Sequence, residues 1–254
     1  MFNDLFTVFG ITVHGYGLMI GLGVIGALMM AWHRSKARGL SDDTATSLVL
    51  LAVIVGFIGG KIFFILTHIS GFLRDPLGSL GSEGFVVYGG IIFGTLACYL
   101  YCRNKGQNFL RWADILLPGV ALAQGLGRIG CFLAGCCYGR PTDSGWGVVF
   151  PRGSMAPSGV PLIPTQLYSA AGDLLLCLML LLIDRREHPD GSILSWYLIS
   201  YSTGRFFIEF FRNDVRGSVG VLSASQFIGL FILAAGIVFG VVLRKKRIRK
   251  DEQG

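Results

Sequence analysis

Charge is scarce in this sequence of 254 residues, and histidine and long polar stretches are scarcer still. Only 15% of the residues are charged while 52% are hydrophobic, and the mean hydropathy is +0.62. Soluble globular domains carry about 25% charged residues, so this composition excludes a soluble protein and predicts an integral membrane protein.

Apolar runs long enough to cross about 30 Å of hydrocarbon occur seven times. They cover roughly residues 14–33, 44–66, 85–103, 115–139, 165–183, 191–211 and 225–244. No stretch remains for a separate soluble domain, and the first ten residues contain no basic residue that would indicate a cleaved signal peptide. We therefore predict an all-α membrane protein with seven transmembrane helices in a single polytopic domain, residues 1–254.

Basic residues are unevenly divided between the two sides of this arrangement. If the C-terminus is cytoplasmic, the inner segments hold fourteen Lys and Arg and the outer loops hold five. The positive-inside rule then predicts an outer N-terminus, a cytoplasmic C-terminus and a long outer loop at about 140–164. The tail RKKRIRK at 244–250 anchors this topology and attracts anionic lipid, so the net charge of +7 indicates membrane lipids as partners and no nucleic acid.

The six cysteines do not form a recognisable metal motif. Cys131, Cys136 and Cys137 lack the paired C-x2-C spacing of structural zinc sites, and none of the four histidines is adjacent to them. On a helix continuing to residue 139, Cys131 and Cys136 point to different faces. We expect no metal and no cofactor, and interpret the three as small packing residues; a Cys136–Cys137 disulfide or oxidation stays open.

Three basic residues, Lys61, Arg128 and Arg205, fall inside predicted spans. Each costs about 2.5–3.5 kcal/mol on an insertion scale, so their presence needs a reason. Glu209 follows Arg205 by four residues and shares its helix face, which predicts an ion pair between them.

The three basic residues have similar depths in the membrane. At about 1.5 Å per residue, they lie about 8 to 16 Å below the outer ends of their spans. Tyr88 is expected about 5 Å below the outer end of the third span, and His14 at the outer mouth of the first. A basic, polar cluster in the outer half of the bilayer is suited to binding an anionic lipid headgroup.

An ordered set of motifs resembles the bacterial prolipoprotein diacylglyceryl transferases over most of the chain. The motifs are VHGYGLMIGLG (13–23), VVYGGIIFG (86–94), GRIGCFLAGCCYGRPTD (127–143), WGVVFP (146–151), PTQLY (164–168) and GRFFIEFFRND (204–214). The resemblance implies a multi-pass enzyme of the bacterial cytoplasmic (inner) membrane. It implies transfer of the sn-1,2-diacylglyceryl group of phosphatidylglycerol to the lipobox cysteine thiol in the signal peptide of a preprolipoprotein, releasing glycerol 1-phosphate.

The resemblance also implies roles for particular residues. Arg128 matches the family arginine that binds the phosphate of phosphatidylglycerol, and Arg205 matches a second essential arginine. The remaining matches, to functional or supporting positions, are Tyr16, Gly139, Glu209 and Arg212. Tyr88 stands where better-studied members have histidine, and Cys131 and Cys136 stand where they have Asn and Glu.

The chemistry of the implied reaction places its main demand on charge. A cysteine thiol with a pKa of about 8.5 is already a few per cent thiolate at neutral pH, so a strong base is not required. The leaving phosphate becomes dianionic, which guanidinium groups can stabilise. We expect Arg128 and Arg205 to hold the phosphate, together with Lys61 and Gly139. One of the side chains of Tyr88, His14 and Tyr16 is expected to accept the thiol proton or to hydrogen-bond the leaving group.

Two other functions remain open from the residues alone. A lipid or anion transporter would use the same basic cavity, although the inverted repeats common in transporters are not evident. A different phospholipid headgroup enzyme is the third possibility. Formation of a thioether-linked diacylglyceryl group on a lipobox peptide distinguishes the first function from both.

Overall fold

The computed structural model describes residues 4–8, 11–81, 84–213 and 218–251, most of which are helical. The helices within these residues are α1 (Gly15–Ala37), α2 (Asp42–Thr67), α3 (Ile69–Arg74), α4 (Pro76–Gly81), α5 (Val87–Asn104), α6 (Phe109–Ala134), α7 (Thr165–Asp184), α8 (Ser192–Ile208) and α9 (Ala224–Asp251). A 3-10 turn, Glu209–Phe211, extends α8.

Five helices in the described part of the chain are long and apolar enough to cross a membrane: α1, α2, α6, α7 and α9. The predicted class of all-α membrane protein is confirmed at this level. Helices α5 and α8, of 18 and 17 residues, coincide with the third and sixth predicted spans. The apolar runs therefore located every long helix, with errors mainly at the ends.

Two short hairpins were not predicted. Strands β1 (Asp4–Val8) and β2 (Ile11–His14) pair antiparallel, with Asp4 opposite His14. Their β-branched and aromatic residues favour strands, but runs of four and five residues are too short for a confident assignment from sequence. A second hairpin joins β3 (Ser218–Val219) to β4 (Leu222–Ser223).

The described residues group into two compact units, Ala31–Trp112 and the combination of Met1–Met30 with Ala113–Gly254. In the first of these, α2 and α5 pack with their backbones in close contact. A Cβ atom on Gly90 would lie 2.9 Å from the Gly56 carbonyl oxygen, and one on Gly94 would lie 3.1 Å from the Ala52 carbonyl oxygen. The absence of a side chain at these glycines thus allows the two helices to cross closely.

In the second unit, a side chain of α6 binds the start of α8. The buried carboxylate of Asp114, near the start of α6, accepts hydrogen bonds from the backbone N–H groups of Gly191 (2.7 Å) and Leu194 (3.0 Å). These donors lie at the N-terminus of α8, where backbone N–H groups have no partner within the helix. Asp114 therefore fixes the start of α8 against α6.

The loop from α6 to α7 folds on its own small core. Phe150, Ala156 and Leu162 are buried together, and the Phe150 ring packs edge-on against Phe132 at 6.0 Å. Backbone hydrogen bonds join Val148 and Leu162 in both directions. The segment at 140–164 thus packs against the end of α6 through Phe150.

Candidate active site

A cavity of about 560 Å³ lies among α6, α7 and α8. Arg128 enters it from α6, Asp173 from α7, and Tyr201 and Arg205 from α8. The rest of the wall is largely apolar, including Leu175, Leu176 and Met179. Charged groups in an apolar cavity interact more strongly than in water, because the local dielectric constant is low.

Arg205 forms the ion pair that its spacing from Glu209 predicts. Its Nη2 atom lies 2.9 Å from the Glu209 Oε2 atom, and the two side chains are 13% and 7% exposed. The same Nη2 donates a 3.3 Å hydrogen bond to the Ser225 hydroxyl of α9. The guanidinium group is therefore held from both sides at the cavity wall.

Asp173 was not assigned to the site from the sequence. It lines the cavity, and the charges of Arg128 and Arg205 both act on its carboxylate. Two arginines and two carboxylates thus lie in one cluster. Tyr201 was missed too, although its position four residues before Arg205 places it on the same helix face.

Tyr16 and the end of α6 lie close together. A Cβ atom on Gly130 would be 3.2 Å from the Tyr16 Cδ2 atom and 3.2 Å from its carbonyl oxygen. Tyr16 is exposed, and it interacts electrostatically with Arg128. The structure therefore brings Tyr16 near Arg128 without placing it in the cavity wall.

His14 ends β2 and lies at the surface of its unit. Its Nδ1 atom is 2.7 Å from the Asp4 Oδ1 atom, and the two side chains are 55% and 71% exposed. The His14 imidazole is thus paired with the Asp4 carboxylate, and such a pairing orients the ring. His14 is absent from the lining of the cavity.

Lys61 and Tyr88 belong to the other compact unit. Lys61 donates a 3.4 Å hydrogen bond to the Gly84 carbonyl, and its Nζ atom lies 5.3 Å from the centre of the Phe64 ring. Tyr88 is in the first turn of α5 and is 37% exposed. Their predicted parts in binding and proton transfer stay predictions.

Gly139 joins two segments of backbone. It forms an isolated antiparallel bridge with Arg212, and its N–H donates to the Ile163 carbonyl at 3.0 Å. A Cβ atom here would lie 2.6 Å from the Ile163 oxygen and 2.8 Å from the Phe211 oxygen. The close backbone approach explains the glycine, and its predicted contact with substrate stays a prediction.

The three cysteines after Arg128 come together because α6 ends earlier than expected. The Gly135 N–H donates to the Phe132 carbonyl and the Cys136 N–H to the Cys131 carbonyl, which is the hydrogen-bond pattern of a Schellman motif. Gly135 has the required positive φ of 73°. The Sγ atoms of Cys131, Cys136 and Cys137 consequently lie within 4.8 Å of one another, rather than on different faces of one helix.

Comparison with known proteins identifies the family of the chain. A family model described as prolipoprotein diacylglyceryl transferase matches residues 3–242. The chain belongs to the prolipoprotein diacylglyceryl transferase family. It is therefore a membrane-embedded transferase, and the transporter function is set aside.

Individual relatives cover nearly the whole chain. The phosphatidylglycerol–prolipoprotein diacylglyceryl transferase of Clostridium tetani is 46% identical over 240 residues, covering 93% of this chain and 96% of that protein. A second transferase of the same name from Clostridium perfringens is 48% identical and covers 91% of each. The Finegoldia magna enzyme is 32% identical and covers 98% of each.

Proposed function

We propose that this transferase moves the sn-1,2-diacylglyceryl group of phosphatidylglycerol to the lipobox cysteine thiol in the signal peptide of a preprolipoprotein. A thioether forms and glycerol 1-phosphate leaves. The observation that carries the proposal is the convergence of Arg128 and Arg205 on one buried cavity, which offers a phosphate two guanidinium donors in an apolar surrounding.

Arg128 and Arg205 bind the phosphate and stabilise the charge that grows on it. The thiol sulfur attacks the glyceryl carbon next to the phosphate, the carbon–oxygen bond breaks, and its electron pair stays on the phosphate. Placed donors contribute about 2.7–4 kcal/mol each to such a step when their removal is measured. Asp173 and Glu209 hold the guanidinium groups in position before the lipid arrives, and Arg212 supports the bridge to Gly139.

Other side chains are proposed to transfer the proton of the substrate thiol. His14, oriented by Asp4, and Tyr16, beside the end of α6, are the candidates in the unit that contains the cavity. Tyr88 is a further candidate, and Lys61 is proposed to contact the anionic headgroup. Each role is testable by substitution with Phe or Gln.

The chain is proposed to cross the bacterial cytoplasmic (inner) membrane seven times as one polytopic domain, residues 1–254. Helices α5 and α8 supply the two spans beyond the five that length and composition identify. The basic tail lies in the cytoplasm by the positive-inside rule, so the C-terminal end of α6 lies on the outer side. The cavity then opens toward the outer half of the bilayer, where signal peptides emerge.

The test is a product assay with purified protein in phosphatidylglycerol vesicles. A lipobox peptide should gain the mass of a diacylglyceryl group with release of one glycerol phosphate per peptide, and a peptide with serine in place of cysteine should gain none. Glycerol phosphate release without peptide modification would indicate a headgroup enzyme of another kind and contradict the proposal.

A further inference from the structure

The cluster of Cys131, Cys136 and Cys137 has features that packing alone does not require. Cys137 adopts a φ of 61°, the one positive φ of a residue other than glycine in the described part of the chain. A residue with a side chain held in this region costs about 1–3 kcal/mol. The Cys137 Sγ atom lies within 4.8 Å of the other two.

Buried groups from α7 hold this turn in place. The Thr165 hydroxyl donates to the Cys137 carbonyl at 2.9 Å, and the Gln166 Nε2 donates to the Cys136 carbonyl at 2.7 Å. Both side chains are fully buried. The backbone that carries the Cys136 and Cys137 thiols is therefore held by two buried hydrogen bonds.

The separation of the three sulfur atoms fits coordination of one ion. Zinc–sulfur bonds are about 2.3 Å long, so thiolates on a tetrahedral zinc ion lie about 3.8 Å apart. The Sγ atoms already lie within 4.8 Å of one another, so small side-chain rotations complete the geometry. Sulfur ligands without oxygen select soft or borderline cations over magnesium and calcium.

The local charge also fits a bound divalent cation. Three thiolates and a zinc ion together carry one negative charge. Arg212, which is 6% exposed, interacts with the Cys137 thiol and neutralises that charge. A buried anionic centre needs such a partner.

We propose that Cys131, Cys136 and Cys137 bind a zinc ion whose fourth coordination position takes the substrate cysteine thiol. Cys136 and Cys137 are only half-buried, so this position is accessible. Cys131 follows Arg128 by three residues on α6, and the two groups interact electrostatically. A thiol bound at the cluster is thus presented beside the phosphate-binding arginine.

This inference rests on the proposed function. The zinc-bound thiolate of the substrate cysteine is the nucleophile of the transfer. The substrate thiol loses its proton to one of the side chains proposed above for proton transfer as it joins the zinc ion, because coordinated thiols are deprotonated. Its sulfur then forms the bond to the glyceryl carbon while the carbon–oxygen bond to the phosphate breaks. No oxidant or reductant takes part.

Zinc content gives the first test. Purified enzyme, dialysed and analysed by mass spectrometry for metals, should hold about one zinc per chain, and Cys137→Ser and Cys131→Ser should lose it. The control is Cys98→Ser, because Cys98 is buried elsewhere and donates to the Leu48 carbonyl, a bond that serine retains. Thermal unfolding of each variant separates loss of metal from loss of the fold.

A cobalt-substituted enzyme tests the fourth position. A lipobox peptide with cysteine should change the visible spectrum of the bound cobalt, and the serine peptide should not. Chelation should lower the transfer rate at least about tenfold, with recovery on adding zinc, because the substrate would return to a few per cent thiolate.

Three results would overturn the inference: parent enzyme that forms thioether without zinc, copper as the only bound metal, or fewer than six thiols in unreduced, denatured enzyme. The last would indicate a disulfide in the cluster. Zinc binding without thioether formation would instead contradict the proposed function and leave the metal site standing.

Discussion

At the scale of single residues, Arg205 and Glu209 form a largely buried ion pair at the wall of the cavity. The charges are 2.9 Å apart and largely removed from water. Removing one partner from such a pair costs about 3 kcal/mol, since the other charge stays buried without compensation.

We predict that Glu209→Gln lowers the unfolding midpoint by about 10 °C, which corresponds to about 3 kcal/mol for a chain of this size. Differential scanning fluorimetry in detergent measures it. Glu187→Gln is the matched control, because the Glu187 side chain is exposed, and it should change stability by less than about 0.5 kcal/mol. Equal midpoints for the two variants would contradict a structural role for the pair.

The arginines of the site were predictable from sequence because a charge inside an apolar span carries a cost that demands a reason. Asp173 and Tyr201 were not assigned, because which face of α7 and α8 meets the cavity depends on how the helices pack. Periodicity identifies a shared face on one helix but not the neighbour that this face meets.

At the scale of elements, close backbone contact between α2 and α5 predicts sensitivity to a single methyl group. A Cβ atom on Gly89 would lie 2.6 Å from the Gly59 carbonyl oxygen and 2.3 Å from the Phe63 Cβ atom. A backbone oxygen cannot rotate away, so the two helices must separate.

Gly89→Ala should therefore lower the free energy of unfolding by about 1–3 kcal/mol. Gly21→Ala in α1 is the control, because no atom lies within 4 Å of the added methyl group. It should be neutral or stabilising by up to about 1 kcal/mol, as alanine favours helices. If both variants unfold at the same temperature, the close crossing of α2 and α5 is wrong.

The turn between α7 and α8 makes stability depend on pH through His188. A hydrogen bond with Asp184 raises the His188 pKa above 6.5, aided by the Pro189 carbonyl and the charge of Asp114. The protonated form is thus favoured in the folded state. Its stabilising contribution is fully present below the unfolded pKa and is lost as the pH rises through the folded pKa.

Unfolding midpoints of the parent and of His188→Gln should therefore differ most near pH 5.5 and converge near pH 9. The comparison is made in one detergent at constant ionic strength, with parent and variant side by side. A difference that stays constant across this range would show that protonation of His188 does not stabilise the turn.

The ends of elements were harder to predict than their existence. The apolar run at 115–139 continues past the point where Gly135 ends α6, since cysteine and tyrosine keep the run apolar. Because of this error of five residues, the sequence-based prediction placed Cys131 and Cys136 on different helix faces. In the structure their Sγ atoms lie within 4.8 Å of each other.

At the scale of the whole molecule, the distribution of basic residues predicts a topology that can be read by fusion. Green fluorescent protein fused after the basic tail should fluoresce, because the tail is expected in the cytoplasm. Alkaline phosphatase inserted after Gly153, in the exposed loop between α6 and α7, should be active outside. The reverse pattern would invert the proposed orientation.

The central claim is that Arg128 binds the phosphate of phosphatidylglycerol in the cavity shared with Arg205. The most direct measurement is the kcat of Arg128→Gln for glycerol phosphate release from phosphatidylglycerol with a lipobox peptide as acceptor. Arg185→Gln is the control, because Arg185 is exposed and lies outside the cavity. We predict a loss of about 100-fold or more for Arg128→Gln and none for the control. Activity of Arg128→Gln within about threefold of the parent would contradict the account.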